Sequence, residues 1–235
     1  MFEPVFHDPF ATKGAEYLLV IAFLVCLVVF WRVLTASPVR ATPSPRHATP
    51  EGWFRLAKDR LYHPGHSWAL PEHDGTVRVG LDEFAAKLVG HVTHISLPAV
   101  GAPVGQGEVA WRMVAEDGRS VDMLSPVDGT VVDVNGALAS TPEVAERDPY
   151  GRGWLLKVRP SRWRANRISL LSGAAARRWM DEVLVGLRGQ FAPDLGVLSQ
   201  DGGVPVAGIA RAIDPDHWDT LVGTFFLTGE EDAHA

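Results

Sequence analysis

Residues 109–134, VAWRMVAEDGRSVDMLSPVDGTVVDV, decide what kind of fold this chain builds. Val109–Val114 is a strand candidate, with shorter ones at Val121–Leu124 and Thr130–Val134, and upstream Thr76–Leu81 alternates apolar and polar residues. A period of two is what a strand with one buried face needs, because successive side chains point to opposite sides of a sheet. Asp117-Gly118 reads as a tight hairpin turn, since glycine enters left-handed turn positions without a Cβ penalty. Ser125-Pro126-Val127-Asp128-Gly129 is a second reversal.

The pattern continues on both sides. Thr76–Leu81 (TVRVGL), Val92–Leu97 and Trp154–Val158 are further strand candidates, and Asp82 is placed to cap a short helix through Leu88. Gly101, Pro103, Gly105 and Gly107 punctuate the intervening chain. Short strands at close spacing between turn signals imply a small all-β sandwich or barrel.

Several segments in order, over about a hundred residues, resemble the H protein of the glycine cleavage system, a carrier whose lipoyl-lysine arm shuttles an aminomethyl group. His63-Pro64-Gly65-His66-Ser67-Trp68 resembles that family's His-Glu-Trp strand, and Asp74–Leu81 its next turn and strand. Leu97-Pro98-Ala99-Val100-Gly101 with Val104, Gly105 and Gly107 is similar to its Leu-Pro-x-x-Gly-x-x-Val-x-x-Gly loop. Ser125–Gly129, with Asn135 and Leu138, and Asp148-Pro149-Tyr150-Gly151-Arg152-Gly153-Trp154 match its later signatures. The resemblance implies a lipoyl-domain-like barrel over 61–160.

The family's lipoate-bearing lysine stands four residues before an aspartate that corresponds to Asp122. Gly118 occupies that position, and no lysine lies between Lys87 and Lys157. Arg119 cannot replace it, because a guanidinium stays protonated and offers no nucleophilic amine. The resemblance without its lysine implies no bound cofactor and no swinging-arm chemistry.

The N-terminus carries a different signal. Tyr17–Trp31 (YLLVIAFLVCLVVFW) has no charge, glycine or proline, and 17–35 is about the length that crosses a bilayer. Tyr17 and Trp31 sit where amphipathic rings favour headgroups, and Arg32 can snorkel at the boundary. Cationic residues follow the run: Arg32, Arg40, Arg46, Arg55, Lys58 and Arg60. The sequence therefore predicts a single-pass protein of a bacterial inner membrane, with residues 1–16 outside and the body cytoplasmic. Residues 36–60 begin with a Pro-, Ser- and Thr-rich stretch and read as a semi-rigid linker. The expected class is a membrane-anchored α+β protein.

Residues 161–235 read as a helical extension. Trp179, Met180, Val183 and Leu184 form one apolar stripe; Trp218, Leu221, Val222, Phe225 and Phe226 form another, with Asp214 as expected N-cap and Pro215 at the first helical position. Such stripes either fold back on the barrel or seat in a partner's groove, and Trp218, Phe225 and Phe226 are candidates for the latter. Arg159, Arg162, Trp163, Arg164 and Arg167 form a cationic cluster suited to a partner, to lipid headgroups or to a solvated linker.

Other chemistry is poorly supported. The two His-x-x-His pairs, His63/His66 and His91/His94, fall in strand and loop, where residues three apart point to opposite faces, so metal binding is not the favoured reading. Gly101–Gly107 lacks the Lys-Ser/Thr of a phosphate loop. No nucleophile elbow occurs, and the one cysteine, Cys26, lies in the apolar run. A net charge of −6 argues against nucleic acid. The expected role is a non-enzymatic accessory subunit among other membrane-protein subunits, of photosynthetic or respiratory type. The alternatives are a membrane-tethered carrier in one-carbon or lipoate metabolism and a ligand- or metal-binding adaptor.

Overall fold

The computed structural model describes residues 11–36, 53–190 and 207–229, with side chains of the N-terminal helix described at 17–28 and 30. The chain divides into two compact units, Met1–Ala48 and Thr49–Ala235.

In the first unit, helix α1 spans Ala11–Ala36. Its side chains from Tyr17 to Val28 are all exposed. Among the described residues, no helix is long and apolar enough to cross a membrane. The expected span over 17–35 is therefore helical, but a membrane crossing is not shown. Trp31 and Arg32 have side chains outside the described residues, and residues 37–52 of the linker expected over 36–60 lie outside them too; its last part, 53–60, is instead packed into the folded unit, with Phe54 in the core and Arg60 buried.

The second unit is built on two antiparallel sheets. Six strands, β1 (Leu61–Tyr62), β2 (Ser67–Pro71), β3 (Val77–Leu81), β9 (Leu156–Pro160), β8 (Gly129–Val134) and β5 (Pro103–Val104), lie in that spatial order. The smaller sheet has the order β4 (Val92–Ser96), β6 (Val109–Ala115), β7 (Ser120–Leu124). The strands read from alternation are present, and alternate residues of β6 (Trp111, Met113, Ala115) are buried. The sequence did not single out the short strands β1 and β5.

Asp82 shows why the chain leaves β3 for a helix. Its Oδ1 accepts from the Ala85 N–H at 2.8 Å and caps α2 (Glu83–Val89) as expected. Its Oδ2 meets His66 Nδ1 at 2.9 Å, both side chains being buried. His66 itself has a left-handed backbone (φ 63) and stacks on Phe84 at 4.2 Å.

After β8 come a 3₁₀ turn (Gly136–Ala139), α3 (Val144–Arg147) and β9, then, among the described residues, four further helices: α4 (Trp163–Ile168), α5 (Gly173–Gly189), α6 (Ile209–Ile213) and α7 (Trp218–Phe226). Met180 and Leu184 of α5, and Trp218, Val222 and Phe226 of α7, enter the same core as Val79, Phe84, Met113 and Val158. One detail of the extension differs from expectation. Asp214 ends α6 instead of starting α7, and its Oδ1 accepts from the N–H groups of Asp216 and His217 in a turn. Pro215 thus precedes α7 by three residues.

Candidate functional site

The β6–β7 hairpin holds the Asp117-Gly118 turn. Strand pairing closes with Val114 opposite Ser120, and Ala115 and Arg119 face across the turn with the Ala115 N–H donating to the Arg119 carbonyl at 2.8 Å. Gly118 sits at the tip with φ +81, and a Cβ there would meet nothing within 4 Å. The turn is held by Asp117, whose Oδ1 accepts from the Arg119 N–H at 3.1 Å.

The turn is contacted by the C-terminal segment, while Glu116, Asp117 and Gly118 stay exposed. The Trp218 indole donates to Asp117 Oδ2 at 2.7 Å. Arg119 donates to the Asp216 carbonyl and reaches Asp219 Oδ1 at 3.1 Å. Arg211 of α6 lies 3.6 Å from Asp117 and stacks its guanidinium 4.7 Å over the Trp218 ring. Partial burial raises the Asp117 carboxyl, yet the Arg119 N–H, the Trp218 indole and the two cations together hold it below the usual carboxylate range. At the hairpin's base, Thr228 Oγ1 donates to the Asp122 carbonyl at 3.2 Å. Outside the hairpin, between β1 and β2, a Cβ at Gly65 would stand 2.8 Å from the Phe226 carbonyl oxygen. Residues of α6, α7 and the segment after it therefore contact the hairpin at its turn and along β7.

This geometry corrects one expectation. Trp218 and Phe226 are fully buried inside the chain's own core and present nothing to a partner. Phe225 is partly buried, 5.4 Å from Phe84. The sequence showed the apolar stripe but carried no signal that its covering surface is the hairpin.

The cationic cluster has a different fate. Arg159 closes β9, while Trp163, Arg164 and Arg167 belong to α4, so the segment is structured and not a solvated linker. Trp163 is half-buried against the core, and the four arginines are exposed. Buried Asn166, which the sequence did not single out, bonds Asp128 Oδ2 at 2.7 Å and Gln106 Oε1 at 3.0 Å. The Gln106 N–H foremost, then Asn166 and Arg162, lower the Asp128 carboxyl against its partial burial.

His63 Nδ1 accepts from the Gly65 N–H at 3.0 Å, His66 pairs with Asp82, and His91 and His94 are exposed on or beside β4. Among the described residues no group of three or more His, Cys, Asp and Glu could hold a metal ion. An open cleft of about 460 Å³ between residues 53–58 and α5, walled by Trp53, Leu56, Met180 and Leu184, shares no residue with the hairpin.

With the fold and hairpin established, comparison with known proteins gives a match to the glycine cleavage H-protein model over residues 60–183, more than half of the chain. The chain belongs to the glycine cleavage H-protein family. The match runs past Pro160 into α5. The glycine cleavage system H protein of Thermus thermophilus is 44% identical over 105 residues, covering 45% of this chain and 80% of that one. The corresponding protein of Marinobacter nauticus is 41% identical, covering 44% and 79%. A solved H protein from Mycobacterium marinum is 34% identical and covers 45% of this chain and 87% of its own, with a TM-score of 0.42.

Membership implies a lipoyl group, and the residues present do not fit one. An amide-linked arm needs a free amine at the tip, where this chain has Gly118. The chain's lysines are Lys13, Lys58, Lys87 and Lys157. Lys87 lies on α2, 3.3 Å from Glu83, and Lys157 on β9, 3.5 Å from Glu72. None is in the hairpin.

Proposed function

We propose that this chain is an armless H-protein domain, tethered to a membrane by α1, that acts by docking and not by carrying an acyl group. The hairpin carries this reading. A flexible arm needs a free tip with an amine, whereas Gly118 lies in a turn fixed on both flanks by α6 and α7. The domain supplies no activated nucleophile at the hairpin, so its role is non-catalytic and holds no cofactor.

The family match favours a setting in one-carbon or lipoate metabolism over the energy-transducing complex, because the relatives named above are glycine cleavage system proteins. An armless domain of this family still presents a related surface and fits a scaffold or competitor for enzymes that bind H proteins. The tether rests on the uncharged run Tyr17–Trp31 and the outward-facing side chains of α1. The cations after it favour a cytoplasmic body at a bacterial inner membrane.

Isolation of the tagged full chain in mild detergent, with identification of co-purifying proteins, tests the setting. Enzymes of the glycine cleavage system are the expected partners. Respiratory or photosynthetic subunits in their place would move the reading to an energy-transducing host, and a partner-free monomer would overturn the docking role.

A further inference from the structure

Between Arg159 and Met180 the sequence holds six arginines and no carboxylate, within a chain of net charge −6. The fold makes the first part of this stretch a rigid projection. The side chain of Asn166, 2% exposed, is tied to Asp128 and Gln106 from the inner side of α4. Arg164, Arg167 and Ile168, at i, i+3 and i+4, then share the outer face. All three are exposed, Ile168 to 87%. Arg162 pairs with Asp128 at 2.8 Å. Among the described residues, Arg159, Arg164 and Arg167 pair with no carboxylate.

Uncompensated cations around a projecting aliphatic side chain suit two partners, an anionic bilayer surface or an acidic protein. A protein interface would use Trp163 as its anchor, but that ring is already packed against the chain's own core. What projects is a single aliphatic group among cations, the arrangement of a shallow membrane contact. We propose that Arg159, Arg164, Arg167 and Ile168 form a contact site for anionic phospholipid headgroups, with Ile168 entering beneath them. The proposal rests on the reading that α1 holds the chain at a bilayer.

The test uses the full chain with Cys26→Ser and Ile168→Cys, the new thiol carrying an environment-sensitive dye. It is mixed with phosphatidylcholine vesicles and with vesicles containing roughly a third phosphatidylglycerol. Flotation reports the tether, and quenching of the dye by brominated acyl chains reports α4. The expected result is flotation with both vesicle types and quenching only with the anionic ones. That quenching falls as salt is raised, and Arg164→Glu/Arg167→Glu weakens it about tenfold or more. The salt titration requires no charge-reversed variant and stands even where that variant fails to fold. Flotation with both and quenching with neither overturns the lipid site and leaves the tether standing. Flotation and quenching with anionic vesicles alone supports the site and overturns the tether. No flotation with either overturns both. A dye already shielded by a co-purified protein overturns the lipid assignment in favour of a protein interface.

Discussion

The Trp218 indole donates a 2.7 Å hydrogen bond to the Asp117 carboxylate, joining the last helix to a hairpin tip 101 residues earlier. This bond makes the hairpin turn a structural joint. Hydrogen bonds to charged groups contribute about 1.5–3 kcal/mol. Trp218→Phe is expected to destabilise the chain by about 2 kcal/mol, and Asp117→Asn by about 1 kcal/mol. The double variant should lose less than the sum, since both changes break one contact. Urea unfolding of the three variants measures this coupling, and strict additivity would mean that the joint is not formed.

His63 gives stability a pH dependence. Burial, helped by the neighbouring His66, lowers its pKa from 6.5 to about 4. The neutral ring is also the form that accepts from the Gly65 N–H. The unfolded chain takes up this proton below about pH 6.5, whereas the folded chain does so only near pH 4. The contribution is therefore complete above pH 6.5 and is lost as pH falls toward 4. Allowing for partial exposure, its size is roughly 2 kcal/mol. His63→Gln should flatten that part of the stability profile, as read from urea midpoints at successive pH values.

Asn166 is expected to fix α4. Asn166→Ala removes a buried amide and leaves the Asp128 N–H, whose acceptor it is, without that partner. The cost should be about 2–3 kcal/mol. Faster amide exchange confined to 163–168 and the 126–128 turn would accompany it. Unchanged exchange there would show that α4 is held by other contacts.

The membrane tether makes a separate prediction. Leu24 is an exposed aliphatic position on α1. Arginine at the centre of a membrane helix costs about 3 kcal/mol. Leu24→Arg should shift the protein from the carbonate-resistant membrane fraction toward the extractable one, while Leu24→Phe should not. Equal partitioning of both variants would count against a spanning α1.

Much of the second unit was legible in the sequence because its strands obey a local rule. β3 alternates, Asp82 caps α2 through its own side chain, and Asp117-Gly118 closes a hairpin with residues adjacent in sequence. Gly118 in the turn was legible too, since the residue at one position is read directly from the sequence. What could not be read were long-range partners. The α7 stripe announces burial, but nothing local says that Trp218 seats on Asp117 or that Gly65 leaves room for the Phe226 carbonyl. Asp214 misled for a related reason, because a side chain that accepts from the next two or three N–H groups serves a turn as well as a helix start. The short helix α4 was hidden by its arginines, and Asn166 gave no pattern, being a single polar residue whose partners lie 38 and 60 positions away.

The central claim is that Gly118 and its clamped turn leave this member of the H-protein family without a prosthetic arm. Intact-mass spectrometry of the full chain purified from its native cells tests it most directly. The account predicts a mass explained by polypeptide alone, with no lipoyl increment. A lipoyl mass increment, on any of the four lysines, would contradict it.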